Sequence, residues 1–192
     1  MSYKEDWDNH YRAGYNSGAG SYGKLAGFKA QTINEFIADH GIQTVLDIGC
    51  GDGNQLSLLN CQEYFGVDVS PTAVELCKKK FSSDPTKHFN LYMPNGENDL
   101  PECDLVLSLD VLYHIIPEEE FTQTLNDIFT HAEYMVILYT VLSDIGTKNS
   151  HIYTRNTMQY IEKYIDWEVT EIICQKYPKE SGADFIILEK EE

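Results

Sequence analysis

The sequence predicts an α/β protein built on a doubly wound, mostly parallel sheet with helices on both faces. Short apolar, β-branched runs alternate with segments of helical periodicity, as strand–helix–strand units require. One run, residues 45–48, passes through an acid into three glycines spaced two apart, which is typical of a buried parallel strand turning tightly into a helix. Acids end three of the predicted strands, at Asp47, Asp68 and Asp110. Ligands bind beyond such strand ends, so the site is expected there.

Residues 1–23 differ in composition from the rest of the chain. Tyr3, Trp7 and Tyr11 recur every four residues, which predicts a short helix with its aromatic side chains on one side. The glycine- and serine-rich residues 18–23 predict a mobile loop. We interpret residues 1–23 as a lid segment, with the alternative that the aromatic side chains hold the N-terminus to the core.

The remaining elements follow in chain order. Apolar residues at helical spacing predict a core helix over 24–39, and Ser70-Pro71 predicts the start of another over 71–81. Further helices are predicted at 54–60, 117–130 and 154–164. Strands are predicted at 43–48, 63–67, 88–93, 105–109 and 134–140, followed by an antiparallel pair at 167–175 and 184–189.

Length and composition indicate one globular domain. A chain of 192 residues accommodates a single full core, expected here over 24–192, and 42% hydrophobic with 23% charged residues is ordinary for a soluble protein. Apolar runs such as 134–139 are too short to span a bilayer, and the N-terminus has no apolar signal core. We therefore expect a cytoplasmic protein without membrane association.

Charge and cysteine content exclude several classes of site. Fourteen basic residues against 31 acidic ones give a net charge of −17, which disfavours a nucleic-acid partner because such binding depends on neutralising phosphates. The five cysteines are odd in number and lack C-x-x-C spacing, so neither a disulfide framework nor a metal site is expected. The sequence does not indicate an oligomeric state.

The glycine turn departs from two phosphate-binding patterns. The dinucleotide fingerprint needs a glycine where this chain has Asn54, and the phosphate-binding loop ends in Gly-Lys-Ser/Thr, which is absent. An acid at Asp47 would repel phosphate and suit a cationic ligand. The pattern that matches is D-x-G-x-G-x-G over residues 47–53, in which the chain resembles the class I S-adenosylmethionine-dependent methyltransferases.

That resemblance implies the strand order 3-2-1-4-5-7-6 and S-adenosyl-L-methionine (SAM) as the cofactor. It implies that Asp47 lies near the aminoacyl part of SAM, that residues 49–53 pass beneath its ribose and methionine, and that Asp68 takes both ribose hydroxyls. The implied cofactor-binding set is Asp47, Gly49, Cys50, Gly51, Gly53, Asn54, Asp68, Val69, Ser70, Asn95, Leu109 and Asp110. The adenine-reading residue is left open among Asn95, Glu97 and the adjacent backbone.

Methyl transfer from a sulfonium is an in-line displacement that needs positioning, exclusion of water and, for some acceptors, a base. Histidine suits such a base near neutral pH, so His114, His151 and the strand-end acid Asp110 are the candidate catalytic residues. The candidate substrate-binding residues are Tyr11, Arg12, Tyr22, Tyr113, His114, His151 and Arg155. Alternatives are that His114 only orients the acceptor and that Arg155 pairs with one of the many acids.

The acceptor is the least determined part of the prediction. The pattern H-x-x-x-R-N from His151, together with the glycine-serine loop, resembles some methyltransferases of polysaccharide and cell-surface biosynthesis. It suggests methylation of oxygen or nitrogen in a small polar acceptor, with a saccharide or sugar phosphate among the options. The alternatives are a protein or RNA methyltransferase and a non-catalytic, cofactor-binding partner subunit of another methyltransferase.

Overall fold

The computed structural model describes residues 2–142 and 152–191. Its seven strands are β1 (Thr44–Ile48), β2 (Glu63–Asp68), β3 (Lys87–Leu91), β4 (Cys103–Leu109), β5 (Ala132–Thr140), β6 (Trp167–Ile173) and β7 (Asp184–Lys190). They form one sheet in the order β3-β2-β1-β4-β5-β7-β6. β1 to β5 are parallel, whereas β7 runs antiparallel to both β5 and β6. The predicted doubly wound fold and its strand order are confirmed.

Helices cover both faces of this sheet. They are α1 (Tyr3–Arg12), α2 (Gly23–His40), α3 (Pro71–Lys80), α4 (Glu118–Thr130) and α5 (Thr157–Ile161). α2 and α3 bury Ile33 and Val74 in an apolar cluster on one face. α4 buries Phe121 and Leu125 on the other face, where Tyr3 of α1 also packs. Across the described residues, none of these helices combines the length and apolar character needed to cross a lipid bilayer.

Local chemistry determines where two of the helices begin. Ser2 caps α1 by accepting the backbone N–H of Glu5 at 3.3 Å, and the Glu5 carboxylate accepts the N–H of Ser2 at 2.9 Å. Ser70 caps α3 by accepting the N–H of Ala73 at 3.1 Å, with Pro71 as the first helical residue. The predicted start of α3 is therefore confirmed.

Two predicted helices are shorter in the structure. The helix expected at 54–60 is a single 3-10 turn, Leu56–Leu58, because only Leu56 of this turn is buried and the segment is too short for cooperative α-helix formation. The helix expected at 154–164 is confined to α5, since residues 154–156 precede it in a non-helical conformation. The stretch expected as a mobile loop contains a further 3-10 turn, Ala19–Ser21.

Leu107 lies in the middle of β4 and is 0% exposed. Leu107→Ala removes buried methyl groups and leaves a cavity, so it is expected to lower the free energy of unfolding by about 2–5 kcal/mol. Leu76 of α3, which is 40% exposed, provides the matched control. Leu76→Ala is expected to change the free energy of unfolding by less than about 0.5 kcal/mol. Urea denaturation followed by circular dichroism measures both values. Equal losses in the two variants would contradict the assigned core.

Candidate active site

The turn after β1 follows a left-handed backbone at its glycines. The angle φ is +97° at Gly49 and +57° at Gly51, values that residues with a side chain rarely adopt. There is also no space for a side chain at either position. A Cβ added at Gly49 would lie 2.2 Å from Cγ2 of Val111, and one added at Gly51 would lie 2.3 Å from Oγ of Ser17. Glycine is therefore required both for the bend and for the close approach of two other segments.

Asp68 ends β2 beside this turn. Its carboxylate accepts backbone N–H hydrogen bonds from Gly51 and Ser70, each at 2.9 Å, and the residue is only 7% exposed. Burial raises the pKa of the Asp68 carboxyl to about 6, although the two hydrogen bonds oppose the shift. An ionised carboxylate has about four acceptor positions, so Asp68 retains positions for a ligand's hydroxyls.

Asp47 lies in β1 but behind the turn. Adjacent strand residues point to opposite faces, so Ile48 faces the strand-end cavity while Asp47 is buried against Tyr64, whose hydroxyl donates a 2.6 Å hydrogen bond. Oδ1 of Asp47 has no hydrogen-bond partner among residues 2–142 and 152–191. Burial raises the pKa of the Asp47 carboxyl to about 6, with Tyr64 and the charge of Lys29 opposing the shift. Contrary to expectation, the Asp47 carboxylate is bonded to Tyr64 and does not line the cavity.

β4 leads into Asp110, whose φ of +62° is unusual for a residue with a side chain. The Asp110 carboxylate lies 2.7 Å from Nζ of Lys29 and accepts a 2.7 Å hydrogen bond from the Tyr113 hydroxyl. Lys29 belongs to α2 and is 0% exposed. It was not among the predicted site residues, although a signal was present: Lys29 falls four residues from both Leu25 and Ile33, on the apolar face of the helix.

Residues 2–22, here called the N-terminal segment, form the outer wall of the site. Trp7 and Tyr11 of α1 line the cavity. The Trp7 ring meets the His114 ring edge-on at 5.1 Å, and the Tyr11 hydroxyl is hydrogen-bonded to Ser17 at 3.0 Å. The aromatic periodicity of the sequence thus marks one side of the cavity.

Asp52 of the glycine turn fastens the N-terminal segment. Its carboxylate accepts the N–H of Ser17 at 3.0 Å and the Tyr22 hydroxyl at 2.7 Å, and its own N–H donates to Ser17 at 2.9 Å. The Asn54 amide donates to the Ser21 carbonyl at 2.7 Å. Burial would raise the pKa of the Asp52 carboxyl, but hydrogen bonds from these neighbours hold it below its usual value. Tyr22 and Asn54, expected at the substrate and cofactor, instead hold this segment in place.

Neither arginine expected at the acceptor faces the cavity. Arg12 pairs with Asp8 at 2.9 Å within α1, and its side chain is 65% exposed. Arg155 donates to the Glu118 carboxylate at 2.9 Å and to the carbonyls of residues 115–116 at 2.7 and 2.8 Å. All three guanidinium nitrogens are thus bonded within the protein. Of the two roles considered for Arg155, the structure shows the ion pair, which fixes the segment joining β4 to α4.

Four predicted cofactor residues also lie away from the cavity. Cys50 and Gly53 pack toward α3. Ser70 caps α3 and donates its hydroxyl to Asp8 at 2.8 Å. Asn95 is exposed with φ at +66°, so the adenine contact stays open.

A cavity of about 290 Å³ lies between the strand ends and the N-terminal segment, near the lower limit for small-molecule sites. Nine predicted site residues line it: Tyr11, Gly49, Gly51, Asp68, Val69, Leu109, Asp110, Tyr113 and His114. The predicted residues that do not line it are Arg12, Tyr22, Asp47, Cys50, Gly53, Asn54, Ser70, Asn95 and Arg155, and His151 lies outside the described residues. Tyr92 and Pro94 line the cavity without having been predicted, and their position just after β3 was the available signal.

Comparison with known proteins gives a family for this region. Residues 46–133, which contain the glycine turn, Asp68 and Asp110, match the family described as a methyltransferase domain. A curated relative, a tRNA U34 carboxymethyltransferase from Colwellia psychrerythraea, is 36% identical over 95 residues, which are 45% of this chain and 29% of that protein. The match therefore spans less than a third of the relative's length.

Solved structures share the fold at low sequence identity. The N-methyltransferase NodS from Bradyrhizobium japonicum WM9, in complex with S-adenosylhomocysteine (SAH), has a TM-score of 0.74 at 12% identity and covers 100% of both chains. Magnesium protoporphyrin IX methyltransferase from Synechocystis PCC 6803, with bound SAM, has a TM-score of 0.70 at 15% identity and covers 99% of this chain and 98% of its own. Residues 46–133 are thus similar to a methyltransferase domain, and the chain shares the fold of methyltransferases whose structures contain SAM or SAH.

Proposed function

We propose that the protein transfers the methyl group of SAM to an oxygen or nitrogen of a small, polar acceptor. The observation that carries this proposal is the cavity, whose inner wall is the ends of β1, β2 and β4 and whose outer wall is the N-terminal segment. A site with these two walls can hold a small acceptor beside the donor and limit the access of water. Those are the conditions that methyl transfer from a sulfonium requires.

The donor half of the site consists of the glycine turn and Asp68. Gly49 and Gly51 leave the backbone open to direct contact with a ligand. The Asp68 carboxylate, held by two backbone N–H groups, has acceptor positions left for the hydroxyls of a ribose. These residues fit SAM, which supplies an electrophilic methyl carbon on a positively charged sulfur. Carboxylates near the cavity favour that positive charge.

The acceptor half combines aromatic rings, a histidine and a carboxylate: Trp7, Tyr11, Tyr113, His114 and Asp110. Within residues 2–142 and 152–191, no lysine or arginine lines the cavity, and both arginines expected there are paired elsewhere. A sugar phosphate would therefore meet carboxylates without a lining cation. A neutral saccharide or an amine, which donates hydrogen bonds, suits this lining better.

His114 is the candidate base for an acceptor that must lose a proton. Its ring lies at the cavity, with the Trp7 ring at 5.1 Å and the Tyr113 ring at 4.5 Å. An imidazole at this position can orient a hydroxyl or amine and take its proton near neutral pH. His151, outside the described residues, remains a second candidate.

RNA is a second candidate acceptor, because the curated relative is named for a transfer RNA. The net charge of −17 opposes it, since RNA binding depends on cations that neutralise phosphates. The small cavity would admit one unstacked base at most, as enzymes that modify bases require.

Incubation with methyl-labelled SAM and a panel of neutral sugars, amines, sugar phosphates and transfer RNA tests the proposal. Label in a neutral sugar or an amine supports it, whereas label only in transfer RNA favours the second candidate. If SAH binds but no compound is labelled, the catalytic proposal is contradicted in favour of a cofactor-binding partner subunit.

Gly49→Ala is expected to weaken SAH binding more than about tenfold, because the new Cβ would overlap Val111 and force the backbone out of its left-handed conformation. Gly27→Ala in α2 is the matched control, since an added Cβ there meets nothing within 4 Å. Calorimetry measures both affinities, and thermal melting confirms that each variant is folded. A folded Gly49→Ala variant with native affinity would contradict a donor site on this turn.

SAH binding is expected to depend on pH through Asp68, whose carboxyl pKa is raised to about 6 by burial. Below that pH the protonated carboxyl loses acceptor capacity, so the affinity falls by up to about tenfold per pH unit. Calorimetry from about pH 5 to 8 measures this profile. Asp68→Asn should bind more weakly and with little pH dependence, whereas the control Asp47→Asn should keep the native profile.

The raised pKa of Asp68 also affects the stability of the unliganded protein. As pH rises, this contribution to stability decreases, whereas the affinity for SAH increases. The folded state binds the Asp68 proton more tightly than the unfolded chain does, so the contribution of Asp68 to the free energy of unfolding decreases as pH rises from 3.8 to about 6. In the calorimetry of SAH binding, the outcome that contradicts this assignment is an identical pH profile in Asp68→Asn and the native protein. Asp68 would then not be the titrating group.

A further inference from the structure

Lys29 combines full burial with a positive charge. Its side chain lies on the apolar face of α2 and is 0% exposed. Removing an ammonium group from water is unfavourable unless a partner compensates. Nζ of Lys29 lies 2.7 Å from Oδ2 of Asp110 and 5.2 Å from the centre of the Tyr139 ring. Both contacts stabilise the buried charge.

Asp110 is held from several directions. Lys29 contacts Oδ2, the Tyr113 hydroxyl donates to Oδ1 at 2.7 Å, and the Asp110 N–H donates to the Tyr139 carbonyl at 2.9 Å. From the N-terminal segment, Gly20 approaches so closely that an added Cβ would lie 2.6 Å from Oδ2. These contacts surround a backbone with a φ of +62°, a left-handed conformation that aspartate adopts more readily than most residues with a side chain.

The two partners differ in their access to the cavity. Asp110 lines it, with 15% of its side chain exposed, whereas Lys29 is not among the lining residues. Each carboxylate oxygen has two acceptor positions, so positions remain after Lys29 and Tyr113 have bonded. A carboxylate paired with an ammonium group accepts hydrogen bonds and donates none. It therefore selects ligands that carry an O–H or N–H group.

We propose that Lys29 is a positioning residue for methyl transfer: its ion pair fixes the Asp110 carboxylate at the cavity wall, where that carboxylate accepts a hydrogen bond from the O–H or N–H group of the acceptor. This inference rests on the proposed function, because it assigns the acceptor to the same cavity. Lys29 itself touches no ligand. Its loss displaces Asp110, and the acceptor with it, whereas the backbone N–H groups of Gly51 and Ser70 keep Asp68 in place.

Lys29→Met tests this role, because methionine keeps the length of the side chain and removes its charge. The variant is expected to lower kcat about 100-fold, since a reactant misplaced by about 1 Å loses that much rate, and to raise KM for the acceptor. The acceptor used is the compound methylated fastest in the labelling panel. SAH affinity, measured by calorimetry, should stay within about twofold of the native value. Lys78→Met, at an exposed position of α3, is the control and should keep the native kcat.

The double variant Lys29→Met/Asp110→Asn separates turnover from stability. Removing one partner of a buried pair is expected to lower Tm by about 10 °C, and removing both should restore most of it because no unpaired charge remains. Under the proposal the double variant is stable and still as slow as Lys29→Met. A double variant with native turnover, or a folded Lys29→Met variant with native turnover, overturns the role of Lys29.

A crystal structure of Lys29→Met tests the same role without an acceptor. The expected result is that Asp110 moves, its hydrogen bond to Tyr113 breaks and its backbone leaves the left-handed region. An unmoved Asp110 overturns the proposal. Native protein that binds no SAH or methylates nothing refutes the proposed function, whereas normal turnover in Lys29→Met refutes only the role of Lys29.

Discussion

At Gly49 and Gly51 the bend after β1 has no room for a side chain, and the rest of the site depends on this constraint. Because Gly49 has no side chain, Val111 from the end of β4 can pack against it. Ser17 from the N-terminal segment packs against Gly51 for the same reason. Two segments that are far apart in sequence therefore meet over one short stretch of backbone. The glycines of such a turn are usually explained by contact with a ligand, but here they also bring together the walls that enclose it.

Internal carboxylates join the parts of the site to one another. Asp52 connects the glycine turn to the N-terminal segment, Glu118 connects α4 to Arg155, and Asp110 connects β4 to Lys29 of α2. Each of these bonds spans at least 35 residues of sequence. Part of the acidic excess of this chain thus serves tertiary structure.

Sequence reasoning succeeded where local chemistry determines structure. Parallel strands buried on both faces need continuous apolar runs, and the residues that end them, such as Asp68 and Asp110, must lie at one edge of the sheet. Sequence reasoning was less successful for residues whose hydrogen-bond partners are distant in sequence. Arg155 bonds to carbonyls about 40 residues away, and no local pattern around it indicates them. Adjacent residues of a strand point to opposite faces of the sheet, so Asp47 and Ile48 cannot both face the cavity. The motif alone does not state which of the two does.

The ion pair between Lys29 and Asp110 spans 81 residues, and this separation constrains the order of folding. α2 leaves the ribosome before any strand of the sheet, yet its apolar face contains an ammonium group that cannot be buried favourably until Asp110 has been synthesised and β4 is in place. The N-terminal segment leads directly into α2. We therefore expect it to pack over the strand ends only in the last stage of folding, after the sheet has formed.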